Sequence, residues 1–128
     1  RPHSVTLTPP GRPLAGPIAP PGSKSITNRA LLLAGLARGR SVLTGSLKSD
    51  DTARMAEALM AMGVQVEEPD ATTFVVAGDG VLRKPDKPLF LGNAGTATRF
   101  LTAAVALVEG DVVVDGDANM RKRPIRPL

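Results

Sequence analysis

The strongest constraint on this sequence is a pattern that occurs twice. Gly22-Ser-Lys-Ser-Ile-Thr-Asn-Arg29 and Gly92-Asn-Ala-Gly-Thr-Ala-Thr-Arg99 each run from Gly to Arg over eight residues. Behind each Arg comes an apolar segment of helical character, then a Gly (Gly39, Gly110), then a strand-like stretch closed by Gly45 or Gly116. A repeat of this kind predicts two copies of one α/β unit, because a single copy cannot bury its own apolar face. The first copy continues through helix, strand, helix and hairpin. The second reaches Arg123–Leu128 where its second helix is due, with Pro124 suited to the first turn. The pattern therefore predicts a chain that stops within a unit, as a fragment would.

Local signals fill in the plan. Alternation predicts strands at Val5–Thr8 and Leu14–Ile18, and Pro20-Pro21-Gly22 places a turn before Ser23. A helix is expected over Ser25–Arg38, with an apolar stripe through Ile26, Ala30, Leu33, Ala34 and Ala37 and a stop at Gly39. Ser41–Thr44 reads as a strand. Ser49-Asp50-Asp51 reads as a helix cap for Thr52–Met62, ended by Gly63. Strands follow at Val64–Val66 and Phe74–Val76 around a turn at Pro69-Asp70, then a surface loop over 79–88. Leu89–Leu91 is a strand, Gly92–Gly95 a tight turn, Thr96–Val108 a helix and Val112–Val114 a buried strand.

Composition narrows the chemistry. With three Phe and no Tyr or Trp in 128 residues, the core has to be aliphatic, and base stacking on single-stranded nucleic acid is disfavoured. A net charge of +4 points to an anionic partner. The absence of Cys removes disulfides, thiolate catalysis and Cys-ligated metals. His3 alone builds no metal site. No apolar run is long enough to span a membrane and no signal peptide opens the chain, so cytoplasm is the expected compartment. The first residue is Arg1 rather than Met, as in a processed or trimmed chain.

Both repeated octets carry anion-binding chemistry. A Gly-rich turn feeding a helix exposes unpaired backbone N–H groups, which with the helix dipole favour anions. Arg29 stands four residues after Ser25 and Arg99 four after Gly95, so each can lean back toward its own helix start. Lys24, Ser23 and Ser25 add an ammonium and two hydroxyls. The Gly22-Ser-Lys24-Ser25 run is no P-loop: Gly16 and Gly22 are separated by five residues instead of four, and Ser23 intervenes before Lys24. Arg121-Lys122-Arg123, with Arg126, fits a solvated or phosphate-binding loop better than a nucleic-acid patch, since no aromatics interleave.

Four stretches in order, Pro21–Arg29, Ser49–Thr52, Leu91–Arg99 and Met120–Ile125, resemble the 5-enolpyruvylshikimate-3-phosphate synthase family. The resemblance implies the enolpyruvyl transferase fold, an inside-out α/β barrel of repeated α/β units, incomplete in a chain roughly a third of a full-length member. It implies two domains: residues 1–20 would supply strands to one, and residues 21–128 the first one and a half units of the other. The implied reaction moves the enolpyruvyl group of phosphoenolpyruvate to the 5-hydroxyl of shikimate 3-phosphate, toward aromatic amino acids, without metal or cofactor. Carried over by position, Lys24 touches both substrates and is catalytic, Ser25 and Arg29 bind shikimate 3-phosphate, and Asn93, Gly95, Thr96 and Arg123 bind phosphoenolpyruvate. Glyphosate, the family's inhibitor, would share that second pocket.

The chain departs from the family at Phe100 (often Pro), Asn119 (often Arg) and Arg126 (usually Gly). The family's carboxylate base lies beyond Leu128, so the expected partner is the remaining C-terminal segment, and the chain alone is expected to be inactive. Two alternatives are a UDP-sugar enolpyruvyl transferase, whose first motif lacks the Ser-Ile-Thr-Asn-Arg run, and a small module binding anions or nucleic acid.

Overall fold

The computed structural model describes residues 4–125. Helix α1 (Lys24–Leu36) leads into strand β1 (Arg38–Leu43), then helix α2 (Asp50–Ala61) and the hairpin β2 (Gln65–Asp70) and β3 (Thr73–Asp79). After a loop come β4 (Leu89–Phe90), α3 (Gly95–Ala104) with a 3-10 turn at Val105–Leu107, β5 (Val114–Asp115) and a 3-10 turn at Met120–Lys122.

The first sheet has the order β1-β3-β2, with β3 antiparallel to both neighbours. Its register runs from Arg38↔Asp79 to Leu43↔Phe74 on one side and pairs Val66↔Val76 on the other. Phe74, Val75 and Val76 are buried because β3 is the central strand under the helices. The second sheet pairs β4 and β5 in parallel, with α3 as the crossover. Leu31, Met55, Leu59, Met62, Phe74, Leu91 and Leu101 are sealed at the centre of one apolar cluster contributed by all three helices and both sheets. Truncating Leu59 to Ala there would cost about 2–5 kcal/mol. Among the described residues no helix is long and apolar enough to cross a membrane.

Several expectations are corrected. Val5–Thr8 and Leu14–Ile18 are exposed and pair with no strand among the described residues of this chain, and Pro9, Pro10, Pro13 and Pro17 remove donors from the stretch. Helix α1 stops at Leu36 with Ala37 extended, and Gly39 belongs to β1. Its buried face is Thr27, Asn28, Leu31, Ala34 and Gly35; of the expected stripe only Ala34 is buried, and Ile26 and Leu33 are 67% and 68% exposed. From Ala30 to Leu36 the helix is apolar on every side, so periodicity alone selects no face there. Pro69-Asp70 lies inside β2, where a register irregularity between Glu67 and Asp70 accommodates it, and the turn falls at Ala71-Thr72. The third helix ends four residues early as a 3-10 turn, and β5 is two residues long and half-buried. His3 and Arg126 lie outside the described residues.

Candidate functional site

The start of α1 is clamped to the loop after β1. A Cβ on Gly22 would stand 2.3 Å from the Gly45 carbonyl oxygen and 2.6 Å from the Leu47 nitrogen, so only glycine allows this approach. Thr27 closes the contact: its Oγ1 donates to the Ser23 carbonyl (2.9 Å) and accepts from the Leu47 amide (3.0 Å). Ser23 caps the helix, its hydroxyl accepting from the Ile26 amide at 3.4 Å. Lys24, the first helical residue, extends its Nζ to 2.9 Å from Asp51 Oδ2.

Asp51 sits in the first turn of α2, where a carboxylate complements the helix dipole. It is not the cap, which corrects the reading of Ser49-Asp50-Asp51: Ser49 and Thr52 form a reciprocal capping box. The Asp51 carboxylate is therefore available to hold Lys24. The pair is partly exposed, 47% for Lys24 and 23% for Asp51, so solvent screens it and its value is positional.

The start of α3 is built differently. Gly92 takes a left-handed φ of +55°, and the cap position is Ala94, which offers no side-chain acceptor. Among the described residues the amides of Thr96 and Ala97 thus have no capping side chain, and the helix start is open to an external anion. Over this opening lies Arg123: its Nη1 would be 2.6 Å from a Cβ on Gly95. The approach from β5 to Arg123 is a rigid bend. Asp117 accepts from the Asn119 amide (2.9 Å) and the Met120 amide (2.8 Å), and Met120 is buried. Arg121 makes a two-point contact with Asp115, Nε to Oδ1 at 2.8 Å and Nη2 to Oδ2 at 2.6 Å. That contact pulls the Asp115 carboxyl down to about 2, helped by the Gly116 amide.

These elements enclose a cleft of about 530 Å³. Lys24, Arg99 and Arg123 bring three cations to it and Asp51 one carboxylate, while Asn93, Gly95 and Thr96 form its α3 wall. Of the residues singled out in the sequence, Lys24, Asn93, Gly95, Thr96 and Arg123 converge here. Ser25 and Arg29 do not line this cleft: the Arg29 guanidinium turns back to the Ser25 carbonyl (3.4 Å) and lies over the Phe100 ring, 5.3 Å from its centre. Arg99 lines it although the motif comparison gave it no ligand role; its signal was the Gly95-to-Arg99 spacing. Asp51 is the residue sequence reasoning missed, since nothing local reports that α1 and α2 start side by side. The terminal basic run is divided: Arg121 pairs with Asp115 and Arg123 faces the cleft.

Residues 8–128 match the family described as EPSP synthase (3-phosphoshikimate 1-carboxyvinyltransferase). The 3-phosphoshikimate 1-carboxyvinyltransferase of Rhizobium leguminosarum bv. trifolii is 72% identical over all of this chain, which spans 30% of that protein. The enzyme of the same name from Pseudomonas savastanoi pv. phaseolicola is 69% identical over 98% of the chain and 30% of its own length. The solved EPSP synthase of Acinetobacter baumannii superposes with a TM-score of 0.78 at 34% identity, covering 82% of this chain and 24% of that one. The mixed α/β fold is thus that of part of an EPSP synthase.

Proposed function

The chain belongs to the EPSP synthase family, and from that premise we propose that it forms part of an enzyme transferring the enolpyruvyl group of phosphoenolpyruvate to the 5-hydroxyl of shikimate 3-phosphate. In this reading residues 21–128 supply one and a half α/β units of one domain and residues 1–20 strands of the other. The rest of the catalytic shell comes from polypeptide equivalent to the remainder of the longer relatives.

The observation that carries the reading is the convergence of Lys24 and Arg123, from separate elements, on the uncapped start of α3. Phosphoenolpyruvate would sit there. Its phosphate is matched by the Arg123 guanidinium, a planar donor pair suited to two phosphate oxygens, and by helix-start amides beside Gly95, Thr96 and Asn93. Shikimate 3-phosphate would place its phosphate at the first turn of α1, against Ser25 and Arg29. Lys24 stands between the two helix starts and reaches both ligands.

The chemistry then balances as addition followed by elimination. The 5-hydroxyl oxygen bonds to C2 of phosphoenolpyruvate, its O–H bond breaking as a base from the remaining polypeptide takes that proton, while another proton reaches C3. The C2–O bond to phosphate then breaks, and the new methyl group returns a proton. Lys24, anchored by Asp51, supplies positive charge and a movable proton where phosphate leaves. The proposal uses no metal or cofactor. Phosphorylated substrates do not cross membranes unaided, which supports a cytoplasmic setting. A nucleic-acid reading loses its main support once Arg121 is paired with Asp115.

The test is a full-length enzyme in which this chain replaces the matching segment of the 72%-identical rhizobial relative. Lys24→Met should lower kcat by at least ~100-fold, the scale of a lost proton-transfer group, and turnover within about twofold of the parent would sink the assignment.

A further inference from the structure

The Arg29 side chain is exposed, yet its guanidinium has a defined seat. It donates to the Ser25 carbonyl one turn back on α1, and it stacks over Phe100, which belongs to α3. Phe100 is only partly buried, and it packs against the central apolar cluster, so the ring is a fixed surface rather than a loose flap. Arg29 keeps the exposed side of α1 together with Ile26 and Leu33, while α1 and α3 lie in contact. The repeat makes this contact one-sided. Seventy residues separate the two octets, so Phe100 answers to Ala30 in the first unit, and no ring stands at that position of α1.

We propose that Phe100 is a positioning residue for Arg29, holding its guanidinium at the first turn of α1 where the phosphate of shikimate 3-phosphate binds. This rests on the functional reading above. A long Arg side chain loses rotamer freedom when it binds phosphate, and a flat aromatic face beside it removes part of that loss beforehand. The ring attracts the cation while leaving the in-plane N–H donors free to meet phosphate oxygens. A Pro at residue 100 would offer no such face, so this chain would hold its arginine by a means its own sequence supplies.

The test uses the full-length enzyme carrying this chain and compares Phe100→Leu, Phe100→Tyr and Arg29→Lys. Phe100→Leu keeps apolar bulk but removes the π face. It should raise KM for shikimate 3-phosphate about 2- to 5-fold, the scale of one exposed cation–π contact, with KM for phosphoenolpyruvate unchanged. Phe100→Tyr should restore the parent value. In an Arg29→Lys background, where the flat guanidinium is gone, Phe100→Leu should add little, as coupled neighbours require. Equal rises in both KM values, or full additivity of the two changes, would overturn the proposal and leave Phe100 a packing residue. If Arg29→Lys itself left shikimate 3-phosphate binding unchanged, the functional reading of Arg29 would fall first and the role of Phe100 with it.

Discussion

The two helix starts, one repeat apart, bury the same face and solve their capping in opposite ways. Thr27, Asn28, Leu31 and Ala34 in α1 correspond to Ala97, Thr98, Leu101 and Ala104 in α3, and all eight are buried. The glycines, however, exchange tasks. At the first start Gly22 is the crowded residue and Gly45, opposite, takes the left-handed φ of +65°. At the second, Gly92 is left-handed and Gly116 is crowded, with a Cβ there 2.5 Å from the Gly92 carbonyl oxygen. Each crossing of turn and loop needs one glycine for conformation and one for space, and the repeat places them on opposite strands of the crossing. The first start is closed by its own Ser23 and Thr27. The second is left uncapped, with Arg123 brought over it. A closed start suits a phosphate bound by side chains; an open one suits a ligand that meets the backbone.

The largest expected effect separates space from conformation. Gly22→Ala forces backbone against backbone and should destabilise the full-length enzyme by about 3 kcal/mol or more. Gly92→Ala meets nothing nearer than Arg54 Nε at 3.8 Å. It should cost only the left-handed penalty of about 1–2 kcal/mol. Urea unfolding of both variants checks this, and the reverse order would break the comparison.

Gly95→Ala comes next and should touch the ligand more than the fold. The added methyl meets the end of the flexible Arg123 side chain, which can move aside. Phosphoenolpyruvate binding should weaken by about 1–3 kcal/mol, glyphosate binding by more, and shikimate 3-phosphate binding hardly at all. Steady-state KM and inhibition constants decide it. Equal weakening of both substrates would mean that the two starts are not separate sites.

Ser23→Ala removes a cap bond that is long at 3.4 Å, so the expected loss is about 0.5 kcal/mol, the low end for caps. No equivalent substitution exists at Ala94. A loss above about 2 kcal/mol in a thermal melt would show the first start to depend on its cap more than on the Gly22 crossing.

The smallest effect is one of pH. Thr44 occupies the place in the first unit that Asp115 holds in the second, so at that place the first unit has no counterpart to the acid-sensitive Asp115–Arg121 strap. The Asp115 carboxyl, held at about 2 by Arg121, ionises more readily folded than unfolded, where the ordinary value is near 3.9. Its stabilisation is present above about pH 4 and is lost as pH falls toward 2. Urea midpoints between pH 2 and 5 should slope less steeply in Arg121→Gln than in the parent. Identical slopes would remove the strap from the account.

What the sequence determined by itself was local. The Gly-to-Arg octets located both helix starts, the Ser49-Asp50-Asp51 run marked the start of α2, and Gly63, with its φ of +91°, marked the helix end. Caps, turns and φ preferences act over three or four residues, so they can be read without knowing what packs where. The tertiary structure decided the rest. It chose the Thr27–Leu31 face of α1 over the Ile26–Leu33 face, because a helix whose second half is apolar on every side has no preferred side until α2, α3 and β3 lie against it. It brought Asp51 to Lys24, gave Arg121 to Asp115 and Arg123 to the cleft, and laid Arg29 on Phe100. Each of these is a meeting of side chains from different elements. A charge carries no mark in the sequence of the partner it will find, and only the packed chain sets that distance.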